Sequence, residues 1–328
     1  MNLHGVKVLV TGGAGFIGSY TVDELLDWGA NVRLFDNFER SLFSYEGIEN
    51  MKKQILGERL EIMRGDLRNP KDCDLACQGM NFVIHAGALI NVKESMQNPH
   101  LYDQVNVQGT ENILECAIKH KVRRIVFAST SLVYGDKEGI VEETAEVDPQ
   151  SFYAATKSFS ELRIKAQSDR ELIQGINLRY FNIYGDGQPS KTGAVIPSFI
   201  GAVFNNEPVT IFGDGNQIRD FIYVKDVAIA NRIALTEGEN GATYNICHQT
   251  MPIKELYDAI RDLSNTKHHQ VVYKKTLKGD IKGFKGSLSL THHQLGFSAR
   301  TAFENGLAST IRRYADINYS KSNLQGGF

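Results

Sequence analysis

Residues 11–18 read Thr-Gly-Gly-Ala-Gly-Phe-Ile-Gly, between an apolar run at 6–10 and an amphipathic stretch at 16–28. The run predicts a buried strand and the stretch predicts a helix. Strand, glycine turn and helix in that order form the arrangement that seats a dinucleotide pyrophosphate. In it Gly12 makes the tight turn, Gly15 lets backbone approach the phosphates, and Gly18 lets the helix lie close on the strand. The helix start offers unpaired N–H groups and a positive dipole end to the anion. A glycine repeat is weak evidence in a chain with 30 glycines. Its place in the first strand–helix unit strengthens it. So does a second predicted strand, 32–35, which ends in Asp36, where a carboxylate grips ribose hydroxyls.

Short apolar runs continue to alternate with helical patterns. Runs at 60–63, 82–85, 125–128 and 176–181 predict further strands, and patterns near 98–120 and 153–170 predict helices. Nearly continuous apolar strands joined by helices predict an α/β fold with a doubly wound parallel (Rossmann) sheet. From about residue 183 turns become commoner. Helices are expected near 194–205, 224–236, 252–264 and 301–316, with short strands at 209–212 and 243–247. This predicts a dinucleotide-binding domain over 1–182, with 215–238 packing back on it. A smaller α/β lobe over 183–328 would face the C-terminal strand ends, where open sheets bind substrate.

Composition narrows the partners. A net charge of −2 supplies no field to recruit nucleic acid or an anionic membrane. No apolar run is long enough to span a bilayer. Residues 1–5 lead directly into the first strand and leave no room for a signal peptide, so a cytoplasmic location is expected. Cys73 and Cys77 lack a second pair or a histidine set, so they read as plain thiols and no metal is expected. Cys116 and Cys247 read as core residues. The basic run at 121–124 reads as a solvated edge before a strand.

Tyr153 and Lys157 lie at the start of a predicted helix, four residues apart and therefore on one face. A free phenol titrates near ~10, too high for a base at neutral pH. A neighbouring ammonium favours the phenolate, and tyrosine can then exchange a proton with a substrate hydroxyl. One such pair is expected by chance among 13 tyrosines, so a third piece is needed. The strand at 125–128 runs into Ser129, Thr130 and Ser131, any of which could hydrogen-bond the same substrate oxygen or simply form a polar turn.

With those pieces in order, residues 6 to about 297 resemble the extended short-chain dehydrogenase/reductase family, the nucleotide-sugar epimerases and dehydratases. Further matching segments are Gly65-Asp66-Leu67, His85-Ala86-Gly87-Ala88, residues 105–110, residues 179–185 and residues 219–224. The resemblance implies NAD as cofactor. It assigns Gly12, Gly15, Phe16, Ile17 and Gly18 to the pyrophosphate, and Asp36 and Asn37 to the adenosine ribose. Asp66 and Leu67 go to the adenine side, and Ala86, Gly87 and Ala88 to the backbone beside the cofactor. Thr130 becomes the active hydroxyl, Tyr153 the acid/base, and Lys157 the residue that also holds the nicotinamide ribose. Asn182 and Arg219 are assigned to the sugar-nucleotide diphosphate; Val195, Thr210 and Phe212 to the nucleotide. The charge of Asp36 would repel a 2′-phosphate, with Arg40 read as a solvated loop residue. A homodimer through the helices near 98–120 and 153–170 is also implied.

The turn after Thr130 separates reactions. Family dehydratases carry two acids there and decarboxylases a glutamate, whereas this chain has Ser131 and Leu132. Reversible oxidation at C4 is the simplest chemistry left, which predicts 4-epimerisation of a nucleotide sugar, a UDP-hexose. Dehydratase, decarboxylase, 4-reductase and a non-catalytic NAD-sensing scaffold are the alternatives. Similar epimerases often have Arg-x-Gly-Asp in the C-terminal lobe. Here it is Leu277-Lys278-Gly279-Asp280, with Lys275 or Lys278 as substitutes for the arginine and Asp280 as a substrate residue. Phe284, four residues later, would narrow the sugar pocket and favour hexoses over N-acetylated sugars.

Overall fold

Strands β1 (Lys7–Thr11), β2 (Asn31–Asp36), β3 (Leu60–Arg64), β4 (Phe82–His85) and β5 (Arg124–Thr130) open the chain, followed by the short β6 (Ile140–Val141) and by β7 (Gln174–Tyr180). Helices α1 (Phe16–Asp27), α2 (Tyr45–Met51), α3 (Pro70–Cys77), α4 (Val92–Gln97), α5 (Pro99–Tyr102), α6 (Gly109–Lys119) and α7 (Phe152–Asp169) connect them. The rest comprises β8 (Asn182–Tyr184), α8 (Val195–Phe204), β9 (Val209–Phe212), β10 (Ile218–Tyr223), α9 (Val224–Ala234), β11 (Thr243–Ile246) and β12 (Gln249–Pro252). It ends with α10 (Ile253–Leu263), β13 (Val271–Lys274), β14 (Lys285–Gly286) and α11 (Phe303–Gln325). The computed structural model describes residues 3–51, 57–189, 193–266, 269–275 and 283–325.

Seven strands form one parallel sheet in the order β11-β7-β5-β4-β1-β2-β3. The order reverses between β1 and β4, where Thr11 and His85 are register partners. In such sheets that crevice takes the ligand. Alternation decides the two faces: Val8 and Val10 pack under α1 and α9, whereas Leu9 packs under α3 and α6. Asn231 of α9 donates to Thr21 of α1 at 3.1 Å, and Val227, Ala230 and Ala234 of the same helix join the first core.

A second group of elements encloses its own core of Tyr184, Phe199, Ile211, Phe221, Leu256 and Leu307. Here β10 runs parallel to β8 and antiparallel to β12, and β9 pairs with β13. Among the described residues, no helix is long and apolar enough to cross a membrane.

Three local expectations change. The strand at 243–246 joins the large sheet beside β7 rather than the smaller lobe, because Tyr244 and Ile246 are buried in the first core. The helix expected over 98–120 is broken into α5, a π-type turn at Asp103–Gln108, and α6. Arg124 is buried and not solvated; its guanidinium donates to Gln174 Oε1 and to the carbonyls of Ala234, Glu237 and Gly238.

Candidate active site

Gly12 has φ +66°, and a Cβ there would sit 2.7 Å from the Gly87 Cα. A Cβ on Gly18 would sit 2.0 Å from the Gly12 carbonyl oxygen. Only glycine lets α1, the β1 turn and the β4 loop approach this closely. No side chain caps α1, and no acid occupies its first turn. Its leading N–H groups therefore suit a phosphate anion.

Asp36 closes β2 and accepts from Ala14 N at 3.1 Å and Phe38 N at 2.8 Å. Burial raises its pKa, and the backbone N–H bonds oppose that shift. Both bonds aim the carboxylate across the glycine turn. Asp66 is held at about 2, chiefly by the bonds from Arg68, and it also accepts from Asn37 Nδ2 at 3.3 Å. Leu67 lies against the β4 loop, its Cδ1 3.0 Å from where a Gly87 Cβ would be. Arg40 is the exposed loop residue expected, and it also pairs with Glu94 through two bonds of 2.6 and 2.7 Å.

The loop carrying Ala86, Gly87 and Ala88 is fastened by residues that sequence reasoning left without roles. Gly87 N donates to Thr11 Oγ1 at 3.0 Å. Asn106 takes Leu89 N on its oxygen at 2.8 Å and gives its nitrogen to Leu89 O at 2.9 Å. His85 lies between Thr11 Oγ1 (2.7 Å) and Thr110 Oγ1 (3.0 Å). Burial lowers its pKa to about 3, helped by Lys157, so it is neutral. The signal for this support was a polar residue ending or interrupting an apolar pattern.

Ser151 caps α7 by accepting from Ala154 N at 3.2 Å, which places Tyr153 in the first turn and Lys157 one turn on. Thr130, the last residue of β5, lies beside the Tyr153 phenol and lowers its pKa. Lys157 Nζ donates to Ala128 O at 2.8 Å and lies 4.6 Å over the Phe127 ring. The structure thus unites Thr130, Tyr153 and Lys157 at the reversal point, with the tyrosine and lysine only 8% and 3% exposed.

The electrostatics correct one expectation. Burial pushes the Tyr153 phenol up to about 12, with Thr130 opposing. Burial pulls Lys157 down to about 7, and Glu161 opposes that. The lysine is committed to a backbone carbonyl and does not lower the phenol here.

Ser131 is buried, while Leu132 is half-exposed in the turn after Thr130. On the facing side, Asn182 donates to Asp220 O at 2.9 Å and Arg219 donates to Ile218 O at 2.8 Å. They lie on neighbouring strands, Asn182 being the register partner of Phe221. Val195 opens α8, which packs on the strand bearing Thr210 and Phe212. Phe284 is buried edge-on to Tyr134 and Phe181, at 5.8 and 5.7 Å. Leu277, Lys278 and Asp280 fall outside the described residues; Lys275 is exposed.

A family profile described as "NAD dependent epimerase/dehydratase family" matches residues 8–247. The chain belongs to that family. A bifunctional UDP-glucose 4-epimerase and UDP-xylose 4-epimerase of Pisum sativum is 35% identical over 251 residues, 70% of this chain and 71% of the relative. A UDP-N-acetylglucosamine 4-epimerase structure from Methanobrevibacter ruminantium has a TM-score of 0.88 at 32% identity, over 96% of this chain and all of that one. A Thermus thermophilus UDP-glucose 4-epimerase in complex with NAD has a TM-score of 0.83 at 30% identity, over 94% and 99%. Relatives also include a decarboxylase and a 4,6-dehydratase. The protein is an enzyme of this nucleotide-sugar epimerase/dehydratase family, and its cofactor is NAD. The turn fits that dinucleotide: glycines at 12 and 18 bring the start of α1, free of a capping side chain, close onto the end of β1.

Proposed function

We propose that the protein is a UDP-hexose 4-epimerase. The observation that carries this reading is the Thr130–Tyr153–Lys157 constellation followed by Ser131 and Leu132, with no acid in that turn to eliminate water or assist decarboxylation. Bound NAD supplies a reversible hydride acceptor at the sugar C4. Tyr153 Oη takes the proton of the 4-hydroxyl, and Thr130 Oγ1 holds the same oxygen. Lys157, held by Ala128 O, would hold the nicotinamide ribose. The 4-keto sugar turns, hydride would return to the opposite face of C4, and Tyr153 gives its proton back to the C4 oxygen. Gly12, Gly15, Phe16, Ile17 and Gly18 would cradle the pyrophosphate, and Asp36 would exclude a 2′-phosphate.

The diphosphate anchor must hold while the sugar turns. Asn182 and Arg219 take that role, since a guanidinium can bond phosphate oxygens bidentately. Val195, Thr210, Phe212 and Asp280 complete the nucleotide side, within a substrate lobe over 183–328. The buried Phe284 ring stiffens the wall that favours unsubstituted hexoses. Exposed Phe159, Leu162 and Met96 on α7 and α4 support a homodimer through that face. A cytoplasmic location fits the same picture.

The test is to incubate the protein with UDP-, dTDP- and CDP-sugars and follow each by NMR. A 4-epimer at unchanged mass with no net NADH supports the reading. Loss of water, loss of carbon dioxide or net NADH consumption rejects it in favour of a dehydratase, decarboxylase or reductase. Turnover confined to N-acetylated sugars rejects the hexose assignment.

A further inference from the structure

One turn beyond Lys157, on the same face of α7, lies Glu161, a carboxylate that the chemistry above does not use. Its side chain is 7% exposed. It accepts from Ser129 Oγ, and from Arg179 Nε at 3.0 Å and Nη2 at 2.7 Å. Three consecutive residues at the end of β5 are therefore gripped by three α7 residues spaced by four. Ala128 O accepts from Lys157 Nζ, Ser129 Oγ donates to Glu161, and Thr130 lies beside the Tyr153 phenol. Arg179 closes the cluster from β7, where it is the register partner of Ser129. Its Nη1 donates to Glu143 O at 3.0 Å, and its guanidinium lies 4.6 Å from the Tyr134 ring centre.

We propose that Glu161 is a positioning residue for Tyr153 and Lys157: bonded to Ser129 and Arg179, it locks α7 in register with the end of β5 and sets a carboxylate one turn from Lys157. This rests on the reading of Tyr153 and Lys157 as the working pair. A buried ion pair is a poor source of stability, because desolvating both charges offsets their attraction. An ordered grip on the reacting helix is a use that does not depend on net stability. The groups around Lys157 leave Glu161 as the balancing charge. From α7 come Tyr153 and Glu161, and from β4 the neutral His85, whose ring stacks on Phe127. From β5 come Ser129 and Thr130, from β7 Arg179, and from the segment after β5 Tyr134. Glu143 lies beyond Arg179 and is bonded to Asn245 N at 2.8 Å.

The test uses full-length holoprotein with Glu161→Gln, Glu161→Asp and Arg179→Gln. The Lys157 midpoint is read by NMR of carbon-13-labelled lysine, assigned against Lys157→Met, and kcat and KM are measured against pH. Glu161→Gln is expected to lower the midpoint by about one unit or more, the scale of losing a close opposite charge. The alkaline limb of kcat moves down with it, and KM changes little. Arg179→Gln, which frees the carboxylate from its competing cation, moves the midpoint up, and Glu161→Asp restores part of the wild-type value. If both Gln variants lose stability or kcat with an unmoved midpoint, Glu161 is only structural and the proposal fails. If Glu161→Gln does not fold, Arg179→Gln decides by the presence or absence of the upward shift. The midpoint is independent of which sugar is turned over, so a failed sugar assignment leaves this readout intact.

Discussion

Tyr153 carries the sharpest consequence for a single atom. Replacing it with Phe removes the phenol that exchanges the proton and leaves the ring that packs. Turnover should fall by roughly 10²–10⁴-fold, the usual contribution of one positioned acid/base, while calorimetry still detects nucleotide binding. Near-full turnover in Tyr153→Phe would reject the assignment. Lys157 makes a different prediction. It titrates at about 7 in the fold, whereas an unfolded lysine titrates near ~10.4. Between those values the unfolded chain holds a proton that the native state has released, so stability rises with pH. Wild type should therefore gain on Lys157→Met in urea unfolding between about pH 7 and about pH 10; a constant difference would mean that burial does not depress the lysine pKa. Both residues were legible in the sequence because their relation is local, four positions on one helix. The partners of His85 and Asn106 were not, since Thr11 lies 74 residues from His85 and Leu89 lies 17 from Asn106. Nor could spacing show that Lys157 is tied to Ala128 instead of to the phenol.

At the level of elements, α1 and α7 are placed by opposite means. Helix α1 depends on contact too close for any side chain. Gly18→Ala forces a methyl into the Gly12 carbonyl, and the helix must move away from the turn. Overpacking of this kind costs about 1–3 kcal/mol. Thermal unfolding should show that loss together with weakened NAD binding; unchanged NAD affinity would mean the cradle is elsewhere. Helix α7 depends on its cap. Ser151→Ala removes the acceptor for Ala154 N and should cost about 0.5–2 kcal/mol in denaturant titrations. Element type was readable wherever period and length agreed, as in the strand 82–85 and the helix that became Phe152–Asp169. It failed at 98–120, where helical periodicity continued through a segment that Asn106 distorts by bonding Leu89 on both sides.

For the molecule as a whole, the exposed Phe159 and Leu162 on α7 should be covered in solution. Leu162→Glu is expected to convert a dimer to a monomer by analytical ultracentrifugation, and a wild type that sediments as a monomer would end the dimer proposal. The parallel sheet was legible from alternation, but β11 was not. A four-residue strand says nothing about which of two sheets it will join, and Tyr244 and Ile246 are decided by the core they meet. That placement has a mechanical consequence. The chain leaves the large sheet at Phe181 for β8, returns through α9 and β11, leaves again at β12, and comes back when Leu295 and Phe297 enter the first core. Swinging one half away from the other would bend several of these crossings at once. The two halves are sewn together by these crossings.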